Sequence, residues 1–199
     1  MRFSNLAKFV QWALVRIGLN ARDISLDNVL AQWGYSEVID SQSESCYANV
    51  PNIEAIREKR RTAVPFSRLS EPERDALATA CRNCRPSLMH FFNGVIGFQL
   101  IPVNREYVGA LWIPPHAWEP QAQGRFVRFA QFEAIPPHTE SPGDARNVIC
   151  RPKYEPPADP LAVGWYQNHQ PILLDGFHRA VAFWRCAPAG SMLLVYSPA

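Results

Sequence analysis

The sequence predicts an α+β protein with a helical N-terminal region, residues 1–90, and a mixed α/β region, residues 91–199. Before residue 90, apolar residues recur at helical spacing and a strong helix-start signal is present. After residue 90, Val, Ile, Phe, Tyr and Trp alternate with Gly and Pro, as in strands and turns. No Ser/Gly-rich linker separates the two regions, so we expect the helices to pack on the sheet.

The first two predicted helices precede residue 35. Residues 4–18 carry apolar side chains on one helical face, namely Leu6, Phe9, Val10, Ala13, Leu14 and Ile17. The polar face has few basic residues, which favours core packing over a membrane surface. A second helix begins at Asp23 or Ser25 and is expected to end at Gly34, since Gly commonly follows the last helical turn. The polar residues 36–50 predict a loop.

Two further helices are predicted after residue 50. Residues 51–62 form a helix with the densest basic cluster of the chain, Arg57, Lys59, Arg60 and Arg61. Such a run usually forms a solvated helix face, and contact with nucleic acid is the alternative. The fourth helix starts at a capping box formed by Ser70 and Glu73, with a proline near the first helical position, and ends near Asn83.

Composition limits the function classes. Five cysteines, an odd number without framework spacing, predict reduced thiols and a cytoplasmic protein. Cys81 and Cys84 form a single C-x-x-C with His90 after it, but a structural zinc site needs four ligands, so no metal site is predicted. The net charge of +2 is too small to indicate nucleic acid or an anionic membrane. No apolar run approaches the roughly 20 residues that span a bilayer, so no membrane contact is expected.

The α/β region begins with strand-like segments. Asn93-Gly94 is typical of a hairpin turn. Further on, residues 125–135 alternate between apolar and polar side chains, which predicts a strand.

Residues 170–186 predict a strand, a glycine turn and a helix, and this turn carries the main functional signal in the sequence. Residues 171–174 form an apolar run of strand length, Asp175-Gly176 breaks it, and apolar residues then recur at helical spacing. The turn brings backbone N–H groups to a helix N-terminus, which attracts anions. With the side chains of His178 and Arg179, it predicts a phosphate site. The alternative is a structural corner in which Asp175 caps the helix, Arg179 is solvated and His178 packs.

This stretch resembles the ParB/sulfiredoxin-like superfamily (ParB-like nuclease or nucleotide-binding domains), whose members carry a strand ending in a Gly-x-His-Arg turn that leads directly into a helix. The matching residues are Pro171, Ile172, Leu174, Asp175, Gly176, His178, Arg179 and Ala182. A predicted closing strand at residues 192–196 and the segment at 125–135 extend the resemblance over about residues 124–197. It implies a mixed β-sheet with helices.

The resemblance also implies nucleotide or phosphate binding at the turn. Sulfiredoxins place their catalytic Cys between the Gly and the His, and this sequence has Phe177 there, so a sulfiredoxin reaction is not expected. The partition-protein pattern has Glu-Arg-Arg after the Gly, which also differs. A hydrolase or transferase that uses ATP or another nucleoside triphosphate with Mg²⁺ is the implied activity.

Site residues follow from this hypothesis. The predicted catalytic residues are Asp175, His178 and Arg179, and the predicted phosphate-binding residues are Gly176, Phe177, His178, Arg179, Arg146 and Arg151. Asp175 is interpreted either as a helix cap or as a metal ligand or general base. The polar loop at residues 138–147, with Arg146, is interpreted either as a second contact group or as ordinary loop.

Several functional alternatives remain. The large aromatic residues Trp165, Tyr166, Phe177 and Trp184 either stack a nucleobase or fill the core, and core is favoured for Trp184. A nuclease or toxin-like effector would use the same turn on a polynucleotide phosphate. A non-catalytic module would bind nucleic acid through the basic helix, or a protein partner through the N-terminal region.

Overall fold

The chain divides into two units. The computed structural model describes residues 24–39, 44–115, 124–135, 145–150, 154, 155, 157 and 159–199. One unit covers Arg2–Gln99 and contains helices, and the other covers Leu100–Pro198 and contains most of a β-sheet. The chain is therefore a mixed α+β protein. The first predicted helix, at residues 4–18, lies outside the described residues.

The helical unit contains four α-helices among its described residues. They are α1 (Leu26–Glu37), α2 (Glu44–Tyr47), α3 (Ile53–Arg61) and α4 (Glu71–Cys84), with 3-10 turns at Phe66–Arg68 and Pro86–Phe92. The Ser25 hydroxyl accepts the Asn28 N–H at 3.2 Å and starts α1. The predicted capping box starts α4, where the backbone N–H of Ser70 donates to Glu73 at 2.8 Å. The predictions for the starts of these helices are thus confirmed.

The prediction that Gly34 ends α1 is wrong. A Cβ atom at Gly34 would lie 3.1 Å from the carbonyl oxygen of Leu77 and 3.2 Å from the ring of Tyr47. Gly34 thus lets α1 approach α4 closely, and α1 continues to Glu37. The loop predicted at residues 36–50 is wrong in part, since it contains the end of α1 and all of α2.

A polar network around Glu37 links the helices of this unit. Its carboxylate accepts hydrogen bonds from Trp33 Nε1 and from Tyr47 Oη, both at 2.9 Å, and from Arg85 at 2.5 Å. Burial raises the pKa of Tyr47, and the neighbouring Cys81 and Glu37 raise it further. The network gives Trp33, Tyr47 and Glu37 hydrogen-bond partners, whereas Arg85 Nε has none among the described residues.

The second unit is built on a six-stranded mixed sheet in the order β1-β6-β4-β5-β2-β3. The strands are β1 (Phe98–Val103), β2 (Trp112–Ile113), β3 (Val127–Arg128), β4 (Leu161–Tyr166), β5 (Gln170–Asp175) and β6 (Leu193–Pro198). The pairs β4–β5 and β2–β3 are antiparallel, and β4–β6 and β2–β5 are parallel. The helices are α5 (Arg105–Ala110), α6 (Phe129–Ala134) and α7 (Phe177–Cys186).

Helix α7 covers one face of this sheet. The buried side chains shared by the helix and the strands are Leu161, Val163, Leu173, Ala180, Val181, Phe183, Leu193 and Val195. Burial of apolar side chains on this scale is the main driving force for folding. The predicted sequence of strand, glycine turn and helix is confirmed, as is the closing strand, which runs to Pro198.

Two strand predictions in this region are wrong. Residues 125–135 form only the short β3, and the chain then enters α6, where Phe129 and Phe132 are buried one helical turn apart. The backbone N–H of Arg128 donates to Gln131 Oε1 at 3.0 Å and supports the helix start. Asn93-Gly94 does not join two strands, because the preceding residues form the 3-10 turn at Pro86–Phe92.

The cysteine prediction is also wrong. Cys46 is bonded to Cys84 and Cys150 to Cys186, with Cα–Cα distances of 5.6 and 5.4 Å, and Cys81 is buried and belongs to neither pair. The partners lie 38 and 36 residues apart, so the spacing gave no framework signal. Because four of the five cysteines are paired, they do not support the prediction of reduced thiols. Cytoplasmic location stays a prediction without that support. No described helix is long and apolar enough to cross a membrane.

Candidate functional site

The turn between β5 and α7 is shaped by one glycine. Gly176 has φ 91° and ψ 27°, a left-handed conformation that side chains rarely adopt. A Cβ atom there would be closer to Leu161 Cδ2 than van der Waals contact allows, and 2.9 Å from both Nε and Nη2 of Arg179. The backbone at Gly176 is therefore covered directly by the guanidinium of Arg179. Only glycine fits both the conformation and the space.

Arg179 lies between two carboxylates. Its Nη2 is 2.5 Å from Asp175 Oδ2, and its Nη1 is 3.8 Å from Asp159 Oδ2. The side chains of all three residues are 14–19% exposed, so the cluster is accessible but largely screened from water. Partial burial strengthens these interactions relative to surface ion pairs. A cation is thus held beside the N-terminus of α7.

Tyr196, on β6, belongs to the same neighbourhood. It is 1% exposed, and its hydroxyl has no hydrogen-bond partner among the described residues. Burial raises the pKa of Tyr196, the carboxylate of Asp159 raises it further, and the guanidinium of Arg179 lowers it. The hydroxyl therefore stays protonated and keeps a proton to donate. A buried donor without a partner is rare in folded proteins.

Sequence reasoning missed both Asp159 and Tyr196. Asp159 follows a proline-rich stretch and Tyr196 sits in a closing strand, and neither has a local motif. The sheet order β6-β4-β5 brings them near the turn. The residue pairs Ala162–Asp175 and Ala162–Tyr196 place the end of β5 and the middle of β6 on either side of the start of β4. Only knowledge of the strand order would have revealed this cluster.

The predicted site residues at the turn have different environments. His178 is exposed in the first turn of α7, whereas Phe177 is partly buried against the core. The cap position of α7 is Gly176, which has no side chain, and the carboxylate of Asp175 accepts a hydrogen bond from Arg179. The catalytic and phosphate-binding roles of Asp175, Gly176, Phe177, His178 and Arg179 stay predictions.

The two other predicted phosphate ligands are not at the turn in the described structure. Arg146 is 1% exposed; its Nη1 donates to the carbonyl of Ile135 at 3.1 Å, and its guanidinium lies 5.0 Å from the ring centroid of Phe132. These contacts anchor the segment at residues 145–147 to α6 and place the charge in the interior. Arg151 and the polar loop up to residue 144 lie outside the described residues.

The basic cluster of α3 is engaged within the helical unit. Arg57 donates to the carbonyl of Val38 at 3.0 Å, and Lys59 pairs with Glu73 at 2.6 Å. The guanidinium of Arg60 lies 5.4 Å from the ring centroid of Tyr35. These contacts favour the interpretation as a structural, partly solvated helix face.

The aromatic residues near the turn divide into two groups. Trp184 packs edge-on against Phe129, with ring centroids 5.6 Å apart, and lies against the core as favoured. Trp165 contacts His169 at 5.7 Å between ring centroids, and Tyr166 contacts Trp112 at 5.2 Å. The latter two residues lie at the opposite end of β4 from the turn.

No protein-family model, no curated protein and no solved structure matches the chain. Among the described residues, no group of three or more His, Cys, Asp or Glu side chains is placed to hold a metal ion.

Proposed function

We propose that the turn formed by Asp175, Gly176, Phe177, His178 and Arg179 binds the phosphates of a nucleotide, as its ParB/sulfiredoxin-like sequence pattern implies. The single observation that supports this most strongly is the packing of the Arg179 guanidinium against the backbone of Gly176 at the N-terminus of α7. A helix N-terminus presents backbone N–H donors and partial positive charge, and Arg adds a bidentate donor. Together they suit a phosphate.

Each residue has a distinct part in this proposal. The N–H groups of the first turn of α7 and the guanidinium of Arg179 hold phosphate oxygens. A phosphate at this position competes with Asp175 and Asp159 for Arg179, since the same Nη atoms serve both. His178, exposed on the first turn, then lies beside the bound phosphates and can donate a hydrogen bond or orient a reacting hydroxyl.

The two carboxylates fit a magnesium ion that accompanies a triphosphate. Carboxylate oxygens are ligands that Mg²⁺ prefers, and it binds through one or two of them together with phosphate oxygens. Asp175 and Asp159 both lie beside Arg179 and would supply two such carboxylates if a bound phosphate took over the guanidinium. When bound, the ion would neutralise charge that develops on the phosphates. Phosphoryl transfer or nucleotide hydrolysis is the reaction class that we propose.

A thermal-shift panel tests this function. ATP, ADP, CTP and GTP, each with and without Mg²⁺, are added to the wild type and to Arg179→Ala and Arg179→Lys. A ligand at 100 times its dissociation constant stabilises the folded protein by about 2.7 kcal/mol. We expect one nucleotide to raise the melting temperature of the wild type, less for Arg179→Lys and not at all for Arg179→Ala.

Arg185→Ala provides a matched control on the same helix. Arg185 pairs with Glu133 near the C-terminus of α7, as Arg179 pairs with Asp175 near its N-terminus. We expect this variant to melt earlier than the wild type but to keep the full nucleotide shift. No shift with any nucleotide, or an equal shift in the wild type and Arg179→Ala, would overturn the proposal.

A further inference from the structure

Three aromatic rings meet on the sheet away from the turn. Phe126 and Tyr166 are stacked, with ring centroids 4.5 Å apart and planes inclined by 19°. Trp112 lies 5.2 Å from the same tyrosine ring. Together with Arg128, whose guanidinium lies 4.1 Å from the ring centroid of Trp112, these residues form what we name the aromatic platform.

The strand register places the platform on one face of the sheet. Trp112 pairs with both Arg128 and Ile172, and Tyr166 pairs with Gln170. Paired residues share a face, and successive residues along a strand alternate. Ile113 lies one position after Trp112, and Val163 lies three positions before Tyr166, so both side chains point to the other face. Both are buried in the core against α7. The platform therefore lies on the face that α7 does not cover.

Hydrogen bonds hold the platform in place. Trp112 Nε1 donates to Gln170 Oε1, and Arg128 Nη2 donates to the same oxygen at 3.2 Å. Trp112, Phe126, Arg128 and Tyr166 are all partly exposed, in contrast to the fully buried Phe129 and Phe132 that follow in the chain. The hydrogen bonds thus fix Trp112 and Arg128, and all three rings keep part of their surface exposed.

The chemistry of the platform matches nucleobases joined by phosphates. Aromatic side chains with interleaved arginine stack bases through their π-faces, whatever the base, while the cations follow the phosphate backbone. Arg125, which is exposed, adds a second positive charge one residue before Phe126. Within the described part of the chain, a guanidinium and an amide lie beside Trp112. Positive charge beside stacked rings favours a polyanion over a neutral sugar.

We infer that the aromatic platform binds single-stranded nucleic acid by base stacking on Trp112, Phe126 and Tyr166, with the phosphates near Arg125 and Arg128. Duplex bases are already stacked on one another and do not offer their faces. The platform is separate from the turn, because Gln170 and Asp175 are the two ends of β5. At about 3.3 Å per residue these ends lie roughly 16 Å apart. The inference therefore does not rest on the proposed nucleotide site.

Fluorescence anisotropy with labelled oligonucleotides tests this inference on the full chain. The probes are twelve-residue oligothymidylate and oligouridylate, a duplex of mixed sequence, and a labelled cellohexaose as the sugar alternative. We expect both single strands to bind and the duplex to bind at least tenfold more weakly. Tyr166→Ala and Phe126→Ala should each weaken single-strand binding about tenfold or more. Tyr166→Phe should retain it, because the ring is kept.

Trp165→Ala is the matched control. Trp165 adjoins Tyr166 on β4, so its side chain points to the opposite face of the sheet. This variant should bind single strands as the wild type does, and thermal melts of all variants establish that they are folded. The inference would be overturned if Trp165→Ala lost as much binding as Tyr166→Ala. It would also be overturned if the wild type bound no single strand at low salt, or preferred cellohexaose.

Discussion

Asp175 and Arg179 are joined by an ion pair of 2.5 Å across the turn that separates β5 from α7. The pair spans Gly176, and the guanidinium lies on the backbone of that glycine. The ion pair holds Arg179 beside the N-terminus of α7. A phosphate at the proposed site would have to compete with the carboxylate of Asp175 for this guanidinium.

Replacing Gly176 with alanine should destabilise the protein strongly. The new Cβ atom would meet Leu161 and Arg179, and the residue would keep an unfavourable positive φ. Backbone strain of this kind alone costs of the order of 1–3 kcal/mol. Urea denaturation of Gly176→Ala should show a loss at the upper end of this range or beyond it.

Gly124→Ala is the control for the strain that a positive φ alone causes in an alanine. Gly124 also has positive φ, 75°, but a Cβ atom there would have no neighbour within 4 Å among the described residues. We expect its loss of stability to be smaller than that of Gly176→Ala by about 1 kcal/mol or more, since overpacking adds about 1–3 kcal/mol. Equal losses for the two variants would show that the space around Gly176 is not restricted.

Replacing Asp159 with asparagine should strengthen nucleotide binding in magnesium-free buffer. The variant removes a carboxylate that lies 3.8 Å from Arg179 and competes with a phosphate for it. Partly exposed pairs contribute about 0.2–1 kcal/mol, which corresponds to an affinity gain of up to about fivefold. Isothermal titration measures it. Glu133→Gln, which alters the pair at the other end of α7, should leave the affinity unchanged, and a weaker Asp159→Asn complex would contradict the competition.

The free energy of unfolding should depend on pH in the acidic range because of Glu73. Burial pushes its pKa up, but hydrogen bonds from Lys59 and Ser70 and the charge of Lys59 outweigh burial and hold the pKa below its usual value. A carboxyl whose pKa is lowered by folding stabilises the protein above its unfolded pKa, and this contribution is lost as the pH falls through the folded pKa. The wild type should therefore lose stability below about pH 5.

Glu73→Gln isolates this contribution. The amide cannot ionise but can still complete the capping box, so the variant should lose only the ion pair with Lys59, about 0.2–1 kcal/mol at neutral pH. Its melting temperature should also fall less steeply between neutral and acidic pH than that of the wild type. Parallel pH profiles for the two proteins would show that Glu73 does not contribute through its charge.

The two disulfides should protect the folded protein measurably. Each closes a loop of nearly 40 residues, for which chain-entropy estimates give about 4 kcal/mol. Peptide mapping without reductant should recover the pairs Cys46–Cys84 and Cys150–Cys186. Addition of reductant should lower the melting temperature. Native protein should resist alkylation at Cys81, which is buried, and alkylation of all five cysteines without reductant would contradict the pairing.

Much of the turn could be predicted from sequence because its determinants are local. The apolar run at residues 171–174, the glycine and the helical period that follows each act over a few residues, so strand, turn and helix were all expected. The capping box at Ser70 is another local signal, and it predicted the start of α4 correctly.

The remaining features depend on contacts distant in sequence. Asp159 and Tyr196 join the turn only through the order of β6, β4 and β5, and the aromatic platform forms only because β2 pairs with both β3 and β5. Residues 125–135 were mistaken for a strand because their apolar residues fit period 2 over a short window, whereas Phe129 and Phe132 follow the helical period. Close packing of α1 on α4 at Gly34 likewise has no local signature.

The most direct test of the phosphate site is an amide nitrogen NMR titration of the full chain with the nucleotide that stabilises it most. Backbone N–H groups that hold a phosphate shift strongly on binding, so we predict the largest changes at residues 176–180 and their absence in Arg179→Ala. A nucleotide that saturates the protein while these amides stay unchanged would show that the turn is a structural corner and that the nucleotide binds elsewhere.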